Sequence, residues 1–189
     1  MELTETALPG VVIIVPRRFG DARGWFSETW NARALAHHGI HTGFVQDNHS
    51  VSAEKGTLRG LHYQAPPHAQ AKLVRVTKGA ALDVAVDARR GSPTYGQHVA
   101  VTLTAAGGEQ LFVPEGFLHG FLTLEPDTHF LYKCSDFYAP EADGTVRWDS
   151  AGVDWRLAAH GIDAPVLSDK DAAAPAFSEW ESPFTMEPA

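Results

Sequence analysis

The sequence TLRGLHYQ, residues 57–64, has the apolar spacing of a β-strand but carries a cation and an imidazole beside a glycine. Glycine within a strand often marks a bulge, or a place where a ligand or another backbone approaches closely. Strict alternation puts Arg59 and His62 on opposite faces of a strand. A bulge at Gly60, or an Arg59 side chain that reaches around the rim, is needed if both are to contact one ligand. The plain alternative is a polar outer face next to a bulge.

Short segments of the same kind recur along the chain and predict an all-β fold. They are rich in Val, Leu and Phe and are separated by Gly, Pro and Asp, the residues that end strands and form turns. Only residues 31–39 read as a helix, with Asn31 as N-cap and Gly39 as the C-terminal stop. Nine short strands at this spacing indicate a sandwich or a barrel. The predicted strands are VVIIVP (11–16), GFVQDNHSV (43–51), TLRGLHYQ (57–64), AKLVRVTKG (71–79), ALDVAVD (81–87), HVAVTLT (98–104), QLFVP (110–114), HGFLTL (119–124) and THFLYKC (128–134).

The segment ALDVAVD, residues 81–87, alternates acidic and apolar residues. Leu82 and Val84 fall on one face of the predicted strand, and Asp83 and Asp87 fall on the other. An acid in mid-strand with an alanine neighbour suggests a face that lines a polar cavity. An outward, solvated face is the alternative.

Length and composition limit the class of protein. The 189 residues predict one domain, 1–189, in which residues 150–189 form a C-terminal segment that packs on the barrel. The net charge of −8 argues against a nucleic-acid or membrane binder, although a local cluster of Arg and Lys can still bind an anion. Cys134 is the only cysteine and reads as a core residue. Without a signal-peptide pattern or a span of ~20 apolar residues, we expect a cytoplasmic protein.

Two of the ten histidines stand in a context that suggests chemistry, His62 and His119. His119 lies in VPEGFLHGF (113–121), and the part PEGFLH resembles the second motif of the cupin barrels, many of which bind a metal through a His-x-His pair, a Glu and a further His. Here Tyr63 and Gln64 follow His62, and Lys72 stands where an acidic ligand would be useful. A metal-dependent cupin enzyme is therefore only an alternative, and no metal or other cofactor is expected.

The whole pattern resembles one family, the dTDP-4-dehydrorhamnose 3,5-epimerases, over about residues 3–175. The resemblance implies a cupin-type antiparallel jelly-roll barrel with a few short helices. It also implies a homodimer in which the N-terminal segment contributes to the neighbouring active site. The motifs that carry it, in chain order, are FGDARGWFSE (19–28), FVQDNHS (44–50), LRGLHYQ (58–64), KLVRV (72–76), DVAVD (83–87), VPEGFLHGF (113–121), FLYK (130–133) and LSDKD (167–171).

The reaction of that family has clear chemical requirements. A ketone at carbon 4 of the sugar acidifies the hydrogens on carbons 3 and 5, so a base, an acid on the opposite face and a cation near the ketone oxygen suffice. The resemblance implies conversion of dTDP-4-dehydro-6-deoxy-D-glucose to dTDP-4-dehydro-L-rhamnose, a step of dTDP-L-rhamnose biosynthesis. A single-centre epimerase of a related sugar and a non-catalytic nucleotide-sugar binding protein are the alternatives.

The resemblance assigns catalytic roles to four residues. His62 matches the base, and Asp171, rather than Asp169, matches the carboxylate that orients it. Tyr132 matches the acid on the opposite face of the sugar, and Lys72 matches the cation near the ketone oxygen.

The other matched positions are expected to contact the substrate. Arg23 and Glu28 resemble nucleotide-contacting residues that a neighbouring subunit donates, Arg59 is expected at the diphosphate, and Asp83 could orient His119. The full set of expected substrate-binding residues is Arg23, Phe26, Glu28, Gln46, Asp47, Asn48, Arg59, His119, Tyr138, Asp143 and Lys170.

Overall fold

The computed structural model describes residues 1–186, and nearly all of its regular structure is antiparallel β-strand. The helical elements are short: α1 (Ala32–Ala36), α2 (Asp169–Ala172) and a 3-10 turn at Ala158–His160. No helix among residues 1–186 has the length and apolar character needed to cross a membrane. The strands are β1 (Glu2–Glu5), β2 (Val12–Val15), β3 (Arg18–Asp21), β4 (Gly24–Ser27), β5 (Gln46–Ser52), β6 (Leu58–Gln64), β7 (Lys72–Lys78), β8 (Ala80–Asp87), β9 (His98–Thr104), β10 (Gln110–Val113), β11 (Phe117–Thr123), β12 (Thr128–Cys134) and β13 (Asp143–Thr145).

The strands form two larger sheets and one separate hairpin. The six-stranded sheet has the order β1-β2-β10-β7-β12-β5, and the five-stranded sheet has the order β13-β6-β11-β8-β9. Strands β3 and β4 pair only with each other. Because neighbours in each sheet are antiparallel and mostly distant in sequence, the fold is the predicted cupin-type jelly-roll barrel.

All nine predicted strands are present, with ends that differ from the prediction by at most three residues. The predicted helix is also present, although it is shorter, and the Asn31 side chain caps it by accepting a hydrogen bond from the Ala34 amide at 3.1 Å. The sequence did not predict β1, β3, β4 or β13. These strands have three or four residues each, and burial of one face cannot impose a clear alternation on so short a segment.

Apolar side chains fill both the interior of the barrel and the outside of the five-stranded sheet. The interior cluster joins side chains of both sheets, among them Val74 and Phe121. The outer cluster packs Leu82 of β8 against Trp155 and Phe184 from the C-terminal part of the chain. Residues 150–186 therefore cover one face of the barrel, and the last three residues of the predicted C-terminal segment lie outside the described part of the chain.

Strand β8 is buried on both faces as a result. Leu82 and Val84 belong to the outer cluster, whereas Asp83 is fully buried on the inner side, where it contacts His119 of β11. The outward alternative for Asp83 is therefore wrong, because the C-terminal segment covers the opposite face and the acid lines the interior.

A β-bulge at Gly60 explains how Arg59 and His62 share a face. His62 lies opposite His119 and Arg59 lies opposite Phe121, so three steps along β6 match two steps along β11. One extra residue reverses the alternation of side chains and turns both residues to the same side.

Only glycine fits at the bulge. A Cβ atom on Gly60 would lie 2.7 Å from the Cα of Gly120 and 2.8 Å from the carbonyl oxygen of His119, and the Gly60 φ of +127° disfavours any side chain. The close approach at Gly60 is therefore to the backbone of β11.

Candidate active site

A cavity of about 160 Å³ opens inside the barrel on the face to which Arg59 and His62 point. Its walls come from both sheets, since β5, β7 and β12 belong to one and β6 and β11 to the other. Five of the residues predicted from the sequence meet here. The lining residues are Ser50, Arg59, His62, Lys72, His119, Phe121, Phe130 and Tyr132.

The His62 imidazole is held by a buried carboxylate. Its Nε2 lies 2.6 Å from Oδ1 of Asp171, which α2 brings to the edge of β6. The hydroxyl of Ser168, the N-cap of α2, donates to the other Asp171 oxygen at 2.8 Å. Burial alone would raise the pKa of Asp171, but hydrogen bonds from His62 and Ser168 and the charge of Lys170 bring the pKa below its ordinary value.

The ionised Asp171 carboxylate determines the tautomer of His62. A carboxylate only accepts hydrogen bonds, so the proton of neutral His62 lies on Nε2 and the lone pair lies on Nδ1. The imidazole can then take a proton from a substrate, and Asp171 stabilises the imidazolium that forms. Asp169 lies in the same short helix but is exposed, and no hydrogen bond links it to His62.

Tyr132 and Lys72 lie on the sheet opposite to His62. The ammonium nitrogen of Lys72 lies 6.0 Å from the centre of the Tyr132 ring. Burial raises the pKa of Tyr132, so its phenol keeps its proton at neutral pH and can donate it. Burial lowers the pKa of Lys72, and the negative side chains nearby oppose this. An imidazole, a phenol and the amino group of a lysine therefore face one cavity.

The second histidine of the cavity is also fixed by an acid. The two carboxylate oxygens of Asp83 lie 3.0 and 3.1 Å from Nε2 of His119. Burial raises the pKa of Asp83, and the neighbouring His119 imidazole and Lys72 oppose that rise. His119 is thereby held in one orientation on the cavity wall.

The donors around the cavity are poorly suited to a metal ion. Among residues 1–186, no three side chains of His, Cys, Asp or Glu are placed to share one ion. The Nε2 atoms of His62 and His119 each face an aspartate, and Lys72 adds positive charge.

Comparison with known proteins agrees with this geometry. Residues 5–179 match the family model described as dTDP-4-dehydrorhamnose 3,5-epimerase. A Pseudomonas aeruginosa protein named dTDP-4-dehydrorhamnose 3,5-epimerase is 49% identical over 182 residues, which covers 95% of this chain and 97% of the relative. The chain belongs to the dTDP-4-dehydrorhamnose 3,5-epimerase family.

Solved structures place the chain in the same family of isomerases. A 3,5-epimerase from Legionella pneumophila, in complex with dTDP-4-keto-L-rhamnose, superposes with a TM-score of 0.92 at 40% identity and covers 100% of this chain and 99% of its own. A 3′-monoepimerase from Streptomyces bikiniensis, in complex with dTDP-quinovose, superposes with a TM-score of 0.83 at 32% identity and covers 92% and 86%. The fold therefore accommodates both one and two inversions.

Three residues that the resemblance to the epimerase family assigns to the substrate form a cluster beside the cavity. The Gln46 amide nitrogen donates to Asn48 Oδ1 at 3.2 Å, and the Gln46 amide oxygen accepts from the Tyr138 backbone nitrogen at 2.9 Å. Tyr138 itself is exposed, so its ring is available to a ligand.

Gln64, which the sequence analysis missed, holds the segment that carries Tyr138. Its amide nitrogen donates to the backbone oxygens of His68 at 2.5 Å and Phe137 at 3.0 Å, and its oxygen accepts from the Ala139 amide at 2.9 Å. Gln64 follows His62 by two positions on β6, and that spacing was the available signal.

Asp143 and Lys170 form an ion pair at the edge of the cavity wall. Asp143 begins β13, which pairs with β6, and Lys170 directly precedes Asp171 in α2. This pair links α2, which carries Asp171, to β13, the strand that pairs with the His62 strand β6.

Asp47 points away from the cavity. It is exposed and pairs with Lys133 at 3.3 Å on the outer face of the six-stranded sheet. The reason is the alternation of β5, which turns Gln46 and Asn48 inward and Asp47 outward. Asp47 is therefore not among the residues that line this cavity.

The three predicted residues near the N-terminus also lie outside the cavity of their own chain. Arg23 and Phe26 belong to the β3–β4 hairpin, where Arg23 pairs with Asp21 and Phe26 is 68% exposed. Glu28 follows the hairpin and accepts a hydrogen bond from Asn31 at 3.0 Å.

Ser50, Phe121 and Phe130 line the cavity but were not predicted. Phe121 follows His119 by two positions, and Phe130 precedes Tyr132 by two positions. Strand periodicity could therefore have identified both, since alternate residues share a face.

Proposed function

We propose that this chain inverts carbons 3 and 5 of dTDP-4-dehydro-6-deoxy-D-glucose and releases dTDP-4-dehydro-L-rhamnose. The observation that supports this most directly is the arrangement of the cavity. His62, held by Asp171, lies on one sheet and faces the protonated Tyr132 on the other, and Lys72 lies beside Tyr132. The same reaction is named for the curated relatives of this family.

Each inversion is a proton removal followed by a proton return. His62 takes the proton from carbon 3 or carbon 5, and the electron pair of that C–H bond moves to the ketone oxygen. Lys72 stabilises the enolate oxygen, and one preorganised donor of this kind is typically worth ~3–4 kcal/mol. His119 adds a second donor in the form that carries protons on both ring nitrogens, because its Nε2 faces Asp83. Tyr132 then protonates the carbon from the opposite face. His62 releases its extra proton to solvent and Tyr132 takes one up from solvent, which restores both side chains.

The proposal includes a cytoplasmic homodimer in which the β3–β4 hairpin of one subunit reaches the nucleotide of the other. Phe19, Trp25 and Phe26 of this hairpin are more than half exposed, at 52%, 60% and 68%, and exposed aromatic clusters of this kind mark interaction surfaces. Arg23 would then face a diphosphate with its fork of donors.

The reaction is tested by proton NMR of dTDP-4-dehydro-6-deoxy-D-glucose with the protein in deuterium oxide, without added metal and again with chelator. Deuterium at carbons 3 and 5, with inverted couplings after trapping by a reductase, is the expected result. Exchange and inversion at carbon 3 alone would mean a single-centre epimerase, the second candidate, which the 3′-monoepimerase at 32% identity favours. Tight nucleotide binding without deuterium exchange would mean that the chain is a binding protein. Loss of activity on addition of chelator would mean that it is a metal-dependent enzyme.

The dimer is tested by mixing two inactive variants. His62→Ala removes the base, and Arg23→Ala removes the residue that acts in the neighbouring subunit. If the sites are shared, each mixed dimer contains one of its two sites without either substitution. Random assortment makes about half of the dimers mixed, so the whole sample regains up to about a quarter of the wild-type activity. Activity that does not recover in verified mixed dimers would contradict the shared site.

A further inference from the structure

Two aromatic rings in the cavity have no role in the proton transfers. Phe121 of β11 and Phe130 of β12 stack face to face, with ring centres 3.8 Å apart and planes 7° from parallel. Both rings line the cavity although almost none of their surface reaches bulk solvent. One comes from each sheet, so together they bridge the two walls at one end of the cavity.

The rest of the lining is polar. Six of the eight lining residues carry a hydroxyl, a guanidinium, an ammonium or an imidazole, and Phe121 and Phe130 are the two that do not. The sugar of the proposed substrate is also mostly polar, because its ring carries hydroxyls, a ketone and the diphosphate. Its one apolar substituent is the methyl group of carbon 6. One apolar substituent therefore has one apolar part of the lining that suits it.

The aromatic pair also lies at the right distance from the reacting groups. The Phe130 ring centre is 6.2 Å from that of His119 and 6.3 Å from that of Tyr132. Carbon 6 is bonded directly to carbon 5, one of the two carbons that lose and regain a proton. A group that holds carbon 6 must therefore lie beside the proton-transfer residues, as these rings do.

We propose that the Phe121–Phe130 pair holds the carbon-6 methyl group and makes the enzyme selective for 6-deoxy sugars. The assignment rests on the proposed function, because it presumes that a 4-keto sugar binds in this cavity. A hydroxyl on carbon 6 would be placed against two aromatic rings that offer it no hydrogen-bond partner to replace water.

The expected size of the effect is moderate. Apolar pockets reject a ligand that carries one additional hydroxyl by roughly 10² at most, since they rely on lost hydration rather than on an unpaired protein group. We therefore expect about 10- to 100-fold weaker binding of a 6-hydroxy sugar than of its 6-deoxy counterpart.

Calorimetry with dTDP-quinovose and dTDP-glucose tests the assignment, because these ligands differ only in the hydroxyl on carbon 6 and neither has the reactive ketone. Wild type is expected to bind dTDP-quinovose about 10- to 100-fold more tightly than dTDP-glucose. Phe121→Leu, which stays apolar, should keep most of this preference. Phe121→Ser, which offers a hydroxyl and room for water, should reduce the ratio towards one. The affinity for dTDP alone serves as the internal control for a folded site.

Three results would overturn the assignment. They are a wild-type ratio near one, an unchanged ratio in Phe121→Ser, or a ratio near one in Phe121→Leu, which would mean that apolar surface at this position does not set the preference. If Phe121→Ser does not fold, the ratio of the two affinities in wild type and in Phe121→Leu still tests the assignment. Failure of the proposed function is recognised separately, because the 4-keto sugar would then show no exchange in deuterium oxide.

Discussion

His62 and Asp171 are separated by 109 positions in the chain, yet their side chains meet at 2.6 Å. His62 lies on a strand inside the barrel, and Asp171 lies on a four-residue helix in the C-terminal segment that covers it. The contact means that the C-terminal segment does more than shield an apolar face, because it supplies the carboxylate that sets the tautomer of the base.

Asp171→Asn is expected to lower kcat by roughly 10²–10⁴-fold, the range typical of a lost general base. An amide cannot stabilise the imidazolium as a carboxylate does, and it can hold His62 in the wrong tautomer. Steady-state kinetics on the 4-keto sugar measures the effect. Asp169→Asn is the matched control, since it changes the same short helix at an exposed position and should stay within about twofold of wild type. Similar losses in both variants would count against the specific pairing.

Tyr132→Phe is expected to retain deuterium exchange at carbons 3 and 5 better than it retains inversion. The base can still remove a proton and return one from the same face, whereas the donor on the opposite face is missing. NMR in deuterium oxide follows both rates in one sample. The control Tyr95→Phe should leave inversion intact, because Tyr95 lies on the surface and outside the cavity lining. Equal loss of exchange and inversion in Tyr132→Phe would contradict the opposite-face assignment.

Gly60→Ala is expected to destabilise the fold by more than the ~1–2 kcal/mol of an unfavourable φ alone. The added methyl would meet the Gly120 and His119 backbone at under 3 Å, in addition to the φ of +127°. Gly39→Ala is the control, since Gly39 has a φ of +81° but open space around a Cβ. Chemical denaturation measures the free energy of unfolding of both variants. Similar values would show that the contact of the added methyl group with β11 does not destabilise the fold.

The buried carboxylate of Asp87 is expected to make the stability of the fold depend on pH. Burial alone would raise its pKa, but hydrogen bonds from Arg89, Ser92 and Thr94 lower the pKa from 3.8 to about 2. A carboxyl group whose pKa is lower in the folded state stabilises the fold at pH values above its pKa in the unfolded state. This contribution is lost as the pH falls from about 5 to about 2. The shift corresponds to about 2 kcal/mol of unfolding free energy.

Denaturation curves of wild type and Asp87→Asn at several pH values test this expectation. The variant should be less stable at pH 7 and should lose less stability on acidification, so the two curves should converge towards pH 2. Glu181→Gln is a suitable control because its ion pair with Arg90 is exposed and should have little effect. Parallel curves for wild type and Asp87→Asn would refute the role of this network.

Most of the strands and the class of fold follow from the order of the residues. Short segments rich in branched and aromatic residues, bounded by turn-forming residues, predict strands, and this signal was enough to identify β12 in THFLYKC with its observed ends. The family resemblance also depends on residues that are read one after another. Asp171 was preferred to Asp169 on that resemblance alone, and the structure adds the hydrogen bond to His62 as a physical reason.

The set of side chains that share the cavity depends on how the strands pair with one another. The bulge at Gly60, which turns Arg59 and His62 to one side, is defined by the register of β6 against β11. Asp47, which was expected at the ligand, does not line the cavity, and its outward direction follows from which face of β5 the barrel buries. Register and burial depend on strands that are distant in the sequence, so a pattern of neighbouring residues specifies each strand but not the face that it turns towards the site.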